Sequence, residues 1–197
     1  VLWADGSYSL VDFTAGAQGL FILDEGTDVA LADVQAVTLS AGAGFASLTE
    51  TVDTDQLAAF IGASAWTGQY DSYAYYSNNY RVYFDPEREG RAIFLPWDPD
   101  WAFYSSTPVA TAYSRLAQLC MANGDCRSKA RAAARQLSDG IPGSSFEADL
   151  LKALDLTEPY VEDDRKRETS VREIESCRAD LLDWFQRRQG ELDAAGF

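Results

Sequence analysis

A chain of 197 residues, 47% hydrophobic and 24% charged, suits a folded globular protein of one domain with a sizeable core. Its 31 acidic and 16 basic side chains leave a net charge of −15, which argues against nonspecific binding to nucleic acid or to an anionic membrane. No run approaches the roughly 20 apolar residues of a membrane span, and the absence of histidine confines site chemistry to carboxylates, amides and bound metal.

Val1 in place of an initiator Met, with no signal peptide after it, reads as a processed or trimmed start. Residues 1–28 carry short strand-like runs at Val1–Ala4, Tyr8–Phe13 and Gly19–Leu23, broken by Asp-Gly, Ala-Gly and Glu-Gly turns. They predict irregular β structure over one edge of the domain. Ala30–Ser40 and Phe45–Val52 have helical periodicity. Asp53 followed by Gln56 resembles a capping box that opens a helix to about Ala65, with Leu57, Phe60 and Ile61 on its inner face.

The stretch Trp66–Phe103 is the most distinctive. It is dense in aromatics, which are expected to build the core. Tyr80–Phe84 and Ala92–Pro96 are β-prone, and Asp85-Pro86-Glu87-Arg88-Glu89-Gly90 between them is turn chemistry, so the segment predicts a β-hairpin. Asn79 then begins the first strand and Asp98 follows the second, and antiparallel pairing brings these ends together. Asp71 lies on the preceding loop. Carboxylate and amide oxygens in one place suit Mg²⁺ or Ca²⁺. Asp and Asn also flank strands as turn and cap residues, and spacing leaves both readings open.

Pro108 suits the first turn of a helix running to about Met121, with Val109, Tyr113, Leu116 and Leu119 as core candidates. Arg127–Leu137 reads as a basic, Ala-rich helix; Lys129, Arg131 and Arg135 form a solvated face, or else face an acidic substrate or phosphates. Ser144 with Glu147 predicts a cap for a helix to Leu154. Ser170 with Glu173 predicts another for the long last helix, where Val171, Ile174, Leu181, Leu182 and Phe185 recur at helical spacing. Between them Glu162-Asp163-Asp164 and Arg165-Lys166-Arg167 read as a solvated connector. Cys120 and Cys126 bracket a turn-rich loop and form either a small disulfide, which implies an oxidising compartment, or two buried thiols. Cys177 is expected in the core. The fold class expected is α+β: mostly helical, with a central hairpin and irregular N-terminal β segments.

The run from Asp71 to Phe103 resembles the CotH kinase family, the spore-coat type of atypical protein kinase. The likeness rests on Asp71, Asn79-Tyr80-Arg81-Val82-Tyr83, Asp85-Pro86, Gly90 and Pro96-Trp97-Asp98-Pro99-Asp100. It extends to Glu50–Asp55, to Glu158–Asp164 and to the last helix, so it covers most of the chain. It implies that the chain, as one domain over 1–197, corresponds to the C-terminal lobe of a kinase. It also implies that Asp71 is the catalytic aspartate and that Asn79 and Asp98 hold Mg²⁺ or Mn²⁺ with ATP. Asn78 is an alternative ligand because the loop from Asp71 is long. Asp100 is a further metal candidate, and Arg81 a phosphate contact.

The chain departs from a kinase in lacking a Gly-rich loop and a strand lysine; its lysines are Lys129, Lys152 and Lys166. The resemblance therefore implies one of three things: a fragment, a separate N-terminal segment or chain that completes the fold, or loss of activity. The activity implied is phosphoryl transfer to Ser or Thr of a protein, for which a basic substrate suits the acidic chain. The alternative is an inactive surface module that binds or adheres, with Tyr70–Tyr80 as the contact. A hydrolase built on Asp98 and Asp100 is the weakest reading, since neighbours two apart do not flank a bond. An extracellular or cell-surface location accords with the resemblance and with a disulfide.

Overall fold

A computed structural model of the protein describes residues 11–26, 31–103, 112–141, 143–166 and 168–197. The chain falls into two compact units, 1–134 and 135–197. The fold is α+β and mostly helical, with one two-stranded antiparallel sheet among the described residues.

In the first unit, α1 (Ala32–Ala43) and α2 (Phe45–Thr51) lead to α3 (Thr54–Thr67). Asp53 caps α3, its carboxylate accepting the Gln56 N–H at 3.0 Å. The second half of the expected capping box is absent, because the Gln56 side chain goes elsewhere. Its Nε2 donates to the Phe94 carbonyl at 2.6 Å, and its Oε1 accepts the Phe94 N–H at 2.9 Å. The Asp53 N–H donates to the Ala92 carbonyl at 3.1 Å, and Val52 bridges Ala92 in parallel register. Phe94 belongs to β2 (Arg91–Pro96), which pairs with β1 (Tyr80–Asp85), Tyr80 facing Pro96 and Asp85 facing Arg91. The hairpin is the one the turn chemistry predicts, and Val52, Asp53 and the Gln56 side chain lie along the outer edge of β2 without forming a third strand.

Beneath the hairpin the core is aromatic. Tyr73, Phe94 and Phe13 are buried, with the Tyr73 ring 4.9 Å from that of Phe94 and 4.6 Å from that of Tyr80. Burial, added to by the Asp12 charge, raises both the Tyr73 and the Tyr80 phenol well above the ordinary value, so both stay protonated and act as donors. The Tyr73 hydroxyl donates to Asp12 Oδ1 at 2.9 Å, and the Tyr80 hydroxyl donates to the Val11 carbonyl at 2.8 Å. Asp12 Oδ2 also accepts the Arg115 N–H at the head of α5 (Arg115–Ala122). The Cys120–Cys126 disulfide joins α5 to α6 (Gly124–Gly140). A Cβ at Gly62 would lie 2.2 Å from the Ala130 carbonyl, so α3 and α6 cross too closely for any larger residue there.

The second unit contains the end of α6, α7 (Ser145–Asp163) and α8 (Val171–Ala194). Ser170 and Glu173 form the predicted capping box. Arg178 of α8 reaches the Leu154 carbonyl at 3.1 Å, and Arg135 pairs with Asp193 at 2.6 Å.

Several expectations are corrected. Residues 11–26 contain a 3₁₀ turn at Gln18–Leu20 and no strand, while the runs within 1–10 lie outside the described residues. The helix expected from Pro108 starts only at Arg115; Pro108 and Val109 lie outside the described residues, and Tyr113 is exposed rather than core. Ser144 does not cap α7 with its side chain; its hydroxyl donates back to Ile141, and Glu147 accepts from the Gly143 N–H. α7 runs past Leu154 and through Pro159 to Asp163. Cys177 is exposed. Tyr76, Tyr83, Trp97 and Trp101, expected inside, stand at the surface.

Two outcomes follow from the α3–β2 junction. Replacing Gln56 with Ala removes both bonds to Phe94 and strands a backbone donor and acceptor, and is expected to lower unfolding free energy by about 2–3 kcal/mol in urea titration. Burial draws the Asp53 carboxyl upward, but the Gln56 amide and the Arg88 and Arg91 charges outweigh it and hold it below its ordinary value of 3.8. A carboxyl depressed on folding stabilises the protein above its unfolded value and loses that contribution as pH falls through the folded one. Asp53→Asn retains the cap and removes the charge. Its stability deficit relative to the native chain is therefore expected at pH 7 and should shrink as pH falls below the ordinary carboxyl value of 3.8, read from denaturation midpoints at each pH.

Candidate functional site

α3 ends at Gly68, whose φ of 60° turns the chain into the loop that holds Asp71. A short helix α4 (Tyr73–Tyr76) follows, then Ser77, Asn78 and Asn79 enter β1. Ser77 and Asn79 have φ of 53° and 47°, and Asp98, beyond β2, has φ of 47°. Left-handed backbone is costly for most residues and least so for Asn and Asp, so two of these three positions hold the residue types that tolerate it. Strained backbone gathered at one place is a mark of functional sites.

The strain has a geometric result. The Asn79 carbonyl accepts the Trp97 N–H at 3.1 Å, closing the hairpin mouth. The Asn79 amide donates to Asp71 Oδ2 at 3.1 Å and to the Asp98 carbonyl at 3.3 Å. The Asn78 amide donates to the same Asp71 oxygen at 2.8 Å. Asp71, Asn78 and Asn79 thus join through their side chains, while Asp98 joins through its backbone. The Asp98 carboxylate is exposed, and among the described residues it makes no hydrogen bond or ion pair. Asp100, in a 3₁₀ turn at Pro99–Trp101, is likewise exposed and is not drawn to the others.

Gln69 was not foreseen. Buried beside the rim, it donates to the Asp98 carbonyl at 3.1 Å, and its Oε1 is buried without a partner among the described residues. Only its place after a helix-ending glycine signals a loop residue. The donor set at this rim is carboxylate and amide oxygen throughout, which fits a hard divalent cation in kind. With both Asn79 donor bonds used, its Oδ1 is the atom left for a ligand. Among the described residues, no three His, Cys, Asp or Glu side chains are placed to hold a metal.

Arg81 is engaged. Its Nη1 lies 2.6 Å from Asp24 Oδ2, and its guanidinium sits 3.8 Å from the centre of the Trp97 ring. A cleft of about 780 Å³ runs beside β1, with residues 20–26 and part of α1 on its other side and Asn78 and Asn79 among its lining. Around Asp71 the surface is aromatic. The Tyr70 and Tyr76 hydroxyls are 2.6 Å apart, Tyr70 stacks on Trp101, and Tyr76 approaches Tyr113.

Compared with known proteins, residues 24–192 match the model of a family described as CotH kinase protein, a span that contains Asp71, Asn79 and Asp98. No curated protein matches the chain.

The Tyr70–Tyr76 contact can be read by titration. The hydrogen bond with Tyr70, then burial and the neighbouring negative groups including Asp71, raise the Tyr76 phenol above its ordinary value. Ultraviolet titration of the native chain and of Tyr76→Phe should differ by a transition above pH 10, and Tyr70→Phe should bring that transition down.

Proposed function

The chain belongs to the CotH kinase family, and on that basis we propose that it binds ATP with Mg²⁺ or Mn²⁺ and transfers the γ-phosphoryl group to a Ser or Thr hydroxyl of a protein. The observation that supports this best is the single rim on which Asn78 and Asn79 meet Asp71 while Asn79 holds the Asp98 backbone. Phosphoryl transfer asks a protein mainly to position groups and to offset charge. Both amides hold one oxygen of Asp71, leaving Oδ1 to accept the hydrogen bond of the acceptor hydroxyl and orient it toward the γ-phosphorus. As the new O–P bond forms, the hydroxyl proton passes toward Asp71, and the bond from the γ-phosphorus to the bridging oxygen breaks, with ADP leaving on that electron pair. Asn79 through Oδ1 and Asp98 through its carboxylate would hold the ion, with Asp100 as a further ligand. A bound divalent ion supplies neutralisation of the β- and γ-phosphates.

Arg81 reaches a phosphate only by leaving Asp24. Among the cleft's described lining residues it is the only Lys or Arg. That supports a cationic group supplied by a separate N-terminal segment or chain, and it equally favours the second reading, an inactive binding module of the same family. The Cys120–Cys126 disulfide supports an extracellular or cell-surface location, since such bonds persist in oxidising compartments. No helix among the described residues is long and apolar enough to cross a membrane.

Calorimetry with ATP in Mg²⁺ or Mn²⁺ separates the readings. The native chain is expected to bind only when metal is present. Asp98→Asn keeps the left-handed backbone and the carbonyl held by Gln69 and Asn79 but loses the charge, so it should bind at least about tenfold more weakly with an unchanged melting temperature. Equal binding by the variant would remove Asp98 from the site, and no binding by the native chain would favour the inactive module.

A further inference from the structure

The two edges of the hairpin differ. Along β2 the outer backbone groups are satisfied: Phe94 by the Gln56 amide and Ala92 by the Asp53 N–H. Antiparallel pairs alternate between bonded and non-bonded, so the residues opposite Phe94 and Ala92 also point their backbone groups away from the partner strand. Those residues are Val82 and Phe84. Their N–H and C=O groups face the free edge of β1 and have no partner among the described residues.

This edge does not face open solvent alone; it forms one side of the 780 Å³ cleft. Leu20, Ile22 and Val34 supply apolar surface on the other side, together with Asp24, Glu25 and Asp33. Three carboxylates stand against one cation, Arg81, which is already paired with Asp24. Such a lining disfavours a phosphate-bearing ligand and favours a positive one. Donors and acceptors repeating every second residue, about 6.8 Å apart, match the repeat of an extended polypeptide.

We propose that the free edge of β1 is a strand-addition site. It takes an extended segment of a partner polypeptide in which apolar residues alternate with Lys or Arg. The segment adds a third strand through the Val82 and Phe84 backbone, its apolar side chains meet Leu20, Ile22 and Val34, and its basic ones meet the carboxylates. The inference rests on the strand edge and the cleft; because Asn78 and Asn79 line both cleft and rim, it requires that a nucleotide at the rim leave the β1 edge clear.

The test uses the full chain and a fluorescent octapeptide of alternating Lys and Val, read by anisotropy. Two further versions carry N-methyl groups on all the valines or on all the lysines. Strand addition predicts that one N-methylated version loses affinity by about tenfold or more, because its blocked N–H groups are those aimed at β1, while the other binds as the parent does. Val82→Pro removes an outward N–H without removing a bond to β2, and should abolish binding with an unchanged circular dichroism spectrum. Should Val82→Pro misfold, the pair of methylated peptides still decides. Failure of the parent peptide to bind overturns the proposal, as do equal effects of the two methylations, which signify charge adsorption. Stoichiometric displacement of the peptide by Mg²⁺–ATP also overturns it and gives the cleft to the nucleotide.

Discussion

One side-chain amide sets the position of the hairpin. Gln56 presents a donor and an acceptor to the donor and acceptor of Phe94, the exchange a neighbouring strand would make. A two-stranded hairpin is marginal in water. Here β2 is fastened to the first turn of α3, and α3 is itself fixed against α6 by the close approach at Gly62. The sheet therefore gains an anchor to a helix without a third strand. Both ends of the hairpin mouth inherit that anchor, which is why a residue far from Asn79 and Asp98 governs where they stand.

The rim is anchored from below as well. Tyr73, two residues after Asp71, sends its hydroxyl to Asp12, and Asp12 accepts the first N–H of α5. A half-buried carboxylate with three donors, the Phe13 and Arg115 N–H groups and the Tyr73 phenol held protonated, makes a network in which the groups satisfy one another. The Asp71 loop is thus pinned between α3 on one side and the Asp12–Tyr73 contact on the other. Such support from outside lets Ser77, Asn79 and Asp98 keep left-handed backbone.

Much of this was legible in the sequence where the governing forces are local. The hairpin follows from two β-prone runs around Asp-Pro and Gly, and the Ser170–Glu173 box from a pattern that acts over three residues. The approach of Asn79 to the Asp98 backbone follows from antiparallel geometry once the hairpin is granted. What was not legible depends on distant partners. Asp53 and Gln56 have the spacing of a capping box, yet Phe94, 38 residues on, competes for the Gln56 side chain and wins because its own backbone groups would otherwise lie unpaired at a sheet edge. Ser144 and Glu147 fail for a more local reason, with each finding a backbone partner just outside the helix. The exposed Tyr83 and Trp97 lie on a hairpin face whose other side takes the core, and alternation alone cannot say which side that is.

The same division bears on the chemistry. Asp71, Asn78 and Asn79 converge through contacts that need no ligand, so that part of the rim is organised in advance. The Asp98 carboxylate has its backbone fixed by Gln69 and Asn79 and its side chain left unengaged. A fixed main chain with an uncommitted carboxylate suits a group that is to be drawn in by a cation, since orienting it then costs one side chain's rotamer freedom and no backbone motion. Under the proposed phosphoryl transfer, with no lysine at the rim among the described residues and Arg81 already paired, offsetting phosphate charge would fall to a metal ion or to a cation from another polypeptide. The cation that this proposal asks for would thus follow from the chain's composition as well as from its family.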